Sequence, residues 1–181
     1  MRLSELFREV EFDGSIKNDA DINLVTDDSR LVRPGSLFVC IRHRSFDGHT
    51  AALDALASGA TAVVTQDRLG LENELRVADS RSAYARLCAA LCNHPERKLR
   101  MIGVTGTNGK TTVTTLIRNI LSDSGTKTLL TGTVCNRLGD ENLPSGLTTP
   151  KPPELYSLLS RAVSQRCKAC VMEASSQALA Q

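Results

Sequence analysis

Residues 101 to 112 read Met101-Ile102-Gly103-Val104-Thr105-Gly106-Thr107-Asn108-Gly109-Lys110-Thr111-Thr112. An apolar run enters a turn with two glycines and leaves it as an amphipathic stretch, so the segment ends a strand and opens a helix. The backbone N–H groups of such a turn, with a helix N-terminus behind them, converge on phosphate oxygens. Gly106 and Gly109 let the backbone curl and approach closely, Lys110 can reach the β- and γ-phosphates, and the Thr111 hydroxyl can ligate Mg2+. The strict pattern GxxxxGK[ST] is met except at its first glycine, where Val104 stands. A helix starting directly after the lysine makes a chance Lys-Thr a poor explanation, and the stretch reads as a nucleotide-binding loop.

Downstream, Val113, Leu116, Ile117, Ile120 and Leu121 repeat at helical spacing and predict one apolar face that a sheet should cover. A second helix opens at Pro152-Pro153-Glu154 and carries Leu155, Leu158, Leu159, Ala162 and Val163 on one face. Between them the loop from Gly132 to Lys151 is about 20 residues long, a length that compact domains usually keep for function. Residues 99–181 thus predict strand, glycine loop, helix, strand, long loop, helix, strand, the first part of a P-loop α/β ATPase domain.

Upstream, Leu37-Phe38-Val39-Cys40-Ile41 and Ala60-Thr61-Ala62-Val63-Val64 read as strands on either side of an alanine-rich helix, Ala51 to Ser58, with Gly59 at its C-cap. Tyr84, Leu87, Cys88, Leu91 and Cys92 place a further helix from about Ser80, stopped by Pro95. The polar connector Asn93-His94-Pro95-Glu96-Arg97-Lys98 predicts a division into a small α/β domain, residues 1–98, and the ATPase segment, 99–181.

With 41% hydrophobic and 23% charged residues the 181-residue chain has an ordinary globular balance. A net charge of +2, with four Phe, two Tyr and no Trp, supplies neither the electrostatic footprint nor the stacking surface of a nucleic-acid binder. No apolar run approaches the roughly 18 to 20 residues that cross a bilayer, and a signal peptide's apolar stretch is missing, so a cytoplasmic protein without membrane insertion is expected. The six cysteines are then expected as reduced thiols. Cys167-Lys168-Ala169-Cys170 has a spacing open to zinc or redox chemistry, but no second pair accompanies it and Cys170 sits in a strand-like run, so a core role is expected. His43, His49 and His94 are dispersed and predict surface or capping positions.

The loop Thr105-Gly106-Thr107-Asn108-Gly109-Lys110-Thr111 resembles the ATP loop of the Mur ligases and the folylpolyglutamate synthases, families of ATP-dependent amide-bond ligases in which Val104 is the ordinary residue. Asp28-Ser29-Arg30, Arg33-Pro34-Gly35-Ser36-Leu37-Phe38-Val39 and Asp47-Gly48-His49 resemble the N-terminal domain of the Mur ligases, in the branch that makes the UDP-N-acetylmuramoyl tripeptide. Thr148-Thr149-Pro150 and Met172-Glu173-Ala174-Ser175-Ser176-Gln177-Ala178-Leu179 point the same way, so the resemblance spans nearly the whole chain.

That resemblance implies ATP and Mg2+ as cofactors, with Gly106, Thr107, Asn108, Gly109, Lys110, Thr111 and Thr112 around the nucleotide, and Thr111 and Glu173 on the metal. It places the uracil and ribose contacts on Asp27, Ser29, Arg44, Ser45 and Phe46, with His43 where the family usually has glycine. Contacts to the sugar-peptide fall on Thr148, Thr149, Ser175 and Gln181, and Gln177 replaces a more usual histidine. Turn chemistry alone also accounts for Asp28-Ser29-Arg30, and a pre-proline helix cap for the threonines. The implied reaction phosphorylates the γ-carboxylate of UDP-MurNAc-L-Ala-D-Glu and lets the amine of a diamino acid, lysine or diaminopimelate, attack the acyl phosphate. Lys110 and Glu173 are the expected catalytic residues. Family members continue with a carbamylated lysine, a metal-binding histidine and an amino-acid-binding domain, so these residues are expected to be an N-terminal portion, monomeric and inactive alone. The alternatives are a non-catalytic UDP-sugar-binding module and another P-loop ligase such as a folylpolyglutamate synthase.

Overall fold

Four short parallel strands, β1 (Leu24–Thr26), β2 (Ser36–Val39), β3 (Ala60–Thr65) and β4 (Glu74–Arg76), lie side by side in chain order. Every residue of β2 is buried, the continuous apolar pattern expected of a parallel strand covered on both faces. Helix α1 (Leu3–Leu6) precedes the sheet, α2 (Ala52–Ala57) connects β2 to β3, and α3 (Ser80–Leu91) follows β4 and packs against β1. The core of this half joins Phe38, Cys40, Ala51, Ala52, Ala55, Ala60 and Val63. The computed structural model describes residues 1–179 and divides into two compact units, Met1–Leu91 and a second that begins at Cys92. The predicted strand-helix-strand is therefore present, and the division falls at 91/92 and not at 98/99. The 3-10 turn Pro95–Lys98 packs on a helix of the second unit, which draws the connector into that unit.

Two expectations for the first unit need correction. Helix α3 ends before Cys92, which is only half-buried, because Asn93 and His94 turn left-handed at φ +57° and +50° ahead of Pro95. His49 is neither a surface residue nor a cap; its side chain is buried. The caps are supplied to it, since Asp47 accepts the His49 N–H at 3.0 Å and lies 2.6 Å from Nδ1. Nε2 accepts the Gln66 N–H at 3.0 Å, so the ring proton sits on Nδ1. Asp47 is held down to about 2, first by the His49 amide and then by the His49 ring and Arg42, against the opposing effect of burial.

In the second unit the order across the sheet is β5 (Arg100–Val104), β9 (Ala169–Glu173), β6 (Thr128–Thr131), β7 (Asn136–Leu138) and β8 (Glu141–Leu143). The first three are parallel, and β7 and β8 add an antiparallel hairpin. Helix α4 (Lys110–Asp123) follows β5, α5 (Pro152–Ser164) precedes β9, and α6 (Ser176–Leu179) ends the described chain. The predicted long loop thus contains two strands, joined through Gly139-Asp140, a turn signal between runs too short to show a period of their own. Cys167 and Cys170 are buried with Leu99, Leu129, Leu138, Leu159 and Ala162, so the CxxC lies in the core under α5.

The α5 face is covered as expected, but the α4 face is not. Val113, Leu116 and Ile120 are 42%, 56% and 68% exposed, while Thr114 and Arg118 are buried. Strand β5 ends the sheet among the described residues. No helix among the described residues is long and apolar enough to cross a membrane.

Candidate functional site

Strand β5 delivers the chain into the loop 105–109, and Gly109 stands at the N-cap of α4 with φ +79°. No side chain caps this helix, so its first N–H groups face outward as donors for an anion. Gly106 has φ +148°, a backbone angle that a residue with a β-carbon rarely adopts. Lys110 lies across the loop, its Nζ donating to the Gly106 carbonyl at 2.7 Å and reaching the Thr107 carbonyl at 3.5 Å. An ammonium held over a ring of backbone amides is an arrangement for phosphate oxygens.

Parallel pairing carries a carboxylate to the same place. Val104 is in register with Glu173 and Thr131 with Met172, so the ends of β5, β9 and β6 stand together. Glu173 is 1% exposed. Its Oε1 accepts the Thr133 N–H at 3.1 Å and its Oε2 the Thr133 hydroxyl at 2.9 Å. A carboxylate has about four acceptor sites, so lone pairs remain for a cation. The cleft, about 380 Å³, is lined by Thr107 to Thr112 from the loop and α4, and by Thr133, Thr148, Glu173 and Ser175.

Of the residues expected here, Thr107, Asn108, Gly109, Lys110, Thr111, Thr112, Thr148, Glu173 and Ser175 line this cleft, while Gly106 supplies the carbonyl under Lys110. Thr149 supports the cleft, since its hydroxyl donates to the Glu173 carbonyl at 2.9 Å and accepts the Ser175 N–H at 3.0 Å. Gln181 lies outside the described residues. Gly132 and Thr133 were not anticipated. The signal for them was faint, a Gly-Thr directly after a strand, whose meaning depends on β9 being its neighbour.

In the first unit, Asp27 follows β1 and accepts the Tyr84 hydroxyl at 3.1 Å, and Tyr84 is buried in α3. Burial, and after it the Asp27 charge, push the Tyr84 hydroxyl far above its ordinary range, so it stays a donor. The other Asp27 oxygen lies 3.4 Å from His43 Nε2, which ties the exposed segment Arg44-Ser45-Phe46 to the end of β1. Phe46 is 49% exposed. The His43 N–H also closes this segment onto the Phe46 carbonyl at 2.8 Å. Ser29 opens a 3-10 turn whose N-cap, Asp28, accepts the Arg30 N–H at 3.0 Å and pairs with its guanidinium at 2.6 Å, so the turn chemistry is real.

The model of the Mur ligase family catalytic domain matches residues 21–94, and that of the Mur ligase middle domain matches 104–181. A UDP-N-acetylmuramoyl-L-alanyl-D-glutamate–2,6-diaminopimelate ligase of Phocaeicola vulgatus is 37% identical over 100% of this chain and 38% of its own length. A solved structure of a ligase of the same name is 29% identical with a TM-score of 0.75, over 99% of this chain and 37% of that one. The MurF ligase from Thermotoga maritima in complex with ADP matches at a TM-score of 0.51 and 23% identity, over 83% of this chain and 31% of its own, a likeness of fold alone. The chain spans under two fifths of the length of the curated relative.

Proposed function

The chain belongs to the Mur ligase family, and on that footing we propose that its second unit carries the ATP site, and its first unit a uridine-diphosphate site, of an ATP-dependent ligase of peptidoglycan precursor synthesis. One observation carries the reading of the second unit: an uncapped helix N-terminus with Lys110 and Thr111 shares a cleft with the buried carboxylate of Glu173.

The work of these residues is positioning and electrostatics. The loop amides and Lys110 bind and orient the nucleotide phosphates and offset their charge as the terminal phosphoryl group moves. Ser175 presents a hydroxyl to the substrate carboxylate beside that phosphate, and Thr148 lines the same cleft. The hydroxyl of Thr111 and the carboxylate of Glu173 are hard oxygen donors that suit Mg2+, and these two residues would hold it. When bound, the ion supplies Lewis-acid neutralisation of phosphate charge. In the first unit, Asp27, Ser29 and the Arg44-Ser45-Phe46 segment take the uridine, with Phe46 as the exposed ring. The reaction proposed is activation of the D-Glu γ-carboxylate of UDP-MurNAc-L-Ala-D-Glu as its acyl phosphate, followed by attack of a diamino acid, diaminopimelate in the Phocaeicola vulgatus relative. A cytoplasmic location goes with these substrates.

Calorimetric titration tests both halves on the 181-residue chain. ADP with Mg2+ should bind the chain, and Lys110→Ala should weaken it by about tenfold or more, which is 1.4 kcal/mol or more. UDP-MurNAc-dipeptide should raise the melting temperature, less so in Ser29→Ala. ADP binding indifferent to Lys110→Ala sinks the loop assignment. Binding of the UDP-sugar with no nucleotide binding would make the chain a UDP-sugar-binding module, and the converse would favour another P-loop ligase.

A further inference from the structure

Glu173 ends β9, and its carboxylate reaches the cleft from a strand held on both sides. A glutamate has three side-chain torsions, and backbone position alone does not aim it. Among the described residues, the groups that hold both of its oxygens belong to Thr133, two residues past the end of β6. The N–H takes Oε1 and the hydroxyl takes Oε2, so one residue clamps the carboxylate at two points. Thr133 Oγ also lies 3.0 Å from Thr148 Oγ. A carboxylate only accepts, so the Thr133 proton points to Glu173 and the Thr148 hydroxyl is left to donate to Thr133. Thr133 is itself anchored, because the carbonyl of the preceding Gly132 accepts the Ser145 hydroxyl at 2.6 Å.

Resting on the ATP-site reading above, we propose that Thr133 is the positioning residue that aims Glu173 at the divalent cation and links it, through Thr148, to the substrate side of the cleft. The clamp leaves one lone pair on each Glu173 oxygen for a further partner. Partners of this kind, which do not themselves touch the metal, commonly control metal affinity by about 10- to 100-fold.

The test uses the 181-residue chain with ADP and Mn2+, the ion followed by its electron paramagnetic resonance signal. Two constants are measured for each variant: ADP affinity without divalent ion, and Mn2+ affinity with ADP saturating. In Thr133→Val the loss of Mn2+ affinity should exceed any loss of metal-free ADP affinity by about tenfold or more, and Thr133→Ser should recover most of it. In a Glu173→Gln background Thr133→Val should change Mn2+ affinity no further, a non-additivity that a merely structural role would not produce. Should Thr133→Val fail to unfold cooperatively, Thr133→Ala carries the same measurement. Equal losses of both constants, no loss, or no recovery by serine overturns the assignment of Thr133 while leaving the ATP site standing. A wild-type chain that binds neither ADP nor Mn2+ overturns both.

Discussion

Gly132 lies so close to the Glu173 carboxylate that a β-carbon at position 132 would fall well inside van der Waals contact with Oε1, and 2.9 Å from Cδ. The absence of a side chain at the end of β6 is what lets a carboxylate end the neighbouring strand and still be clamped by Thr133.

Gly132→Ala should therefore act as an overpacking substitution. The alanine can take the backbone angles, but Glu173 cannot keep its place, and a cost of about 1–3 kcal/mol is expected from urea unfolding. An unchanged midpoint would show that Glu173 moves aside freely.

Tyr84→Phe removes a buried hydroxyl that donates to Asp27 and accepts its N–H at 3.3 Å. A hydrogen bond to a charged group contributes about 1.5–3 kcal/mol, so a loss of that order is expected, with a weaker effect of UDP-MurNAc-dipeptide on the melting temperature as the 27–46 region loosens. Equal stability of the two proteins would mean that water replaces the phenol.

The Asp47 carboxyl is held at about 2 in the folded chain, below its ordinary value of 3.8. A depressed carboxylate contributes stability that is complete above the unfolded value and is lost as pH falls through the folded one. Asp47→Asn should therefore flatten the acid limb of the urea midpoint between about pH 5 and pH 2, while leaving the slope between pH 6 and pH 8 as it was. A variant that keeps the wild-type acid limb would show that other carboxylates govern it.

Burial pushes the Cys40 and Cys170 thiols up to about 12. At pH 8 the thiolate fraction is then about one in ten thousand, and the thiolate is the reactive form. Mass spectrometry after iodoacetamide treatment should find both thiols unmodified in the native chain and modified after unfolding. Modification of Cys170 in the native state would mean that the strand under α5 opens locally.

Much of the cleft was legible because its parts are local. The glycine loop, Lys110 and Thr111 occupy consecutive positions and a helix starts with them, so strand, turn and helix chemistry coincide within a dozen residues. Glu173 could be placed only through a family pattern, and Gly132 and Thr133 not at all, since their importance comes from a strand 40 residues away in the chain. His49 misled for the same reason. Its ring is buried against the Gln66 amide, a partner that nothing near His49 announces.

The sequence by itself determined the local devices: a phosphate loop opening α4, an α/β alternation of elements, and a CxxC that goes to the core. Tertiary structure alone decided the order β5-β9-β6, and with it nearly everything that separates a motif from a site. Apolar periodicity states that α4 has a face to bury, yet among the described residues Leu116 and Ile120 stand in the open. Parallel pairing brings Val104 level with Glu173, and Thr131 level with Met172, so a lysine, a carboxylate and a threonine far apart in sequence share one cleft. Strand order carries no sequence period of its own; it follows from which faces find cover, and that is settled only when the whole chain packs.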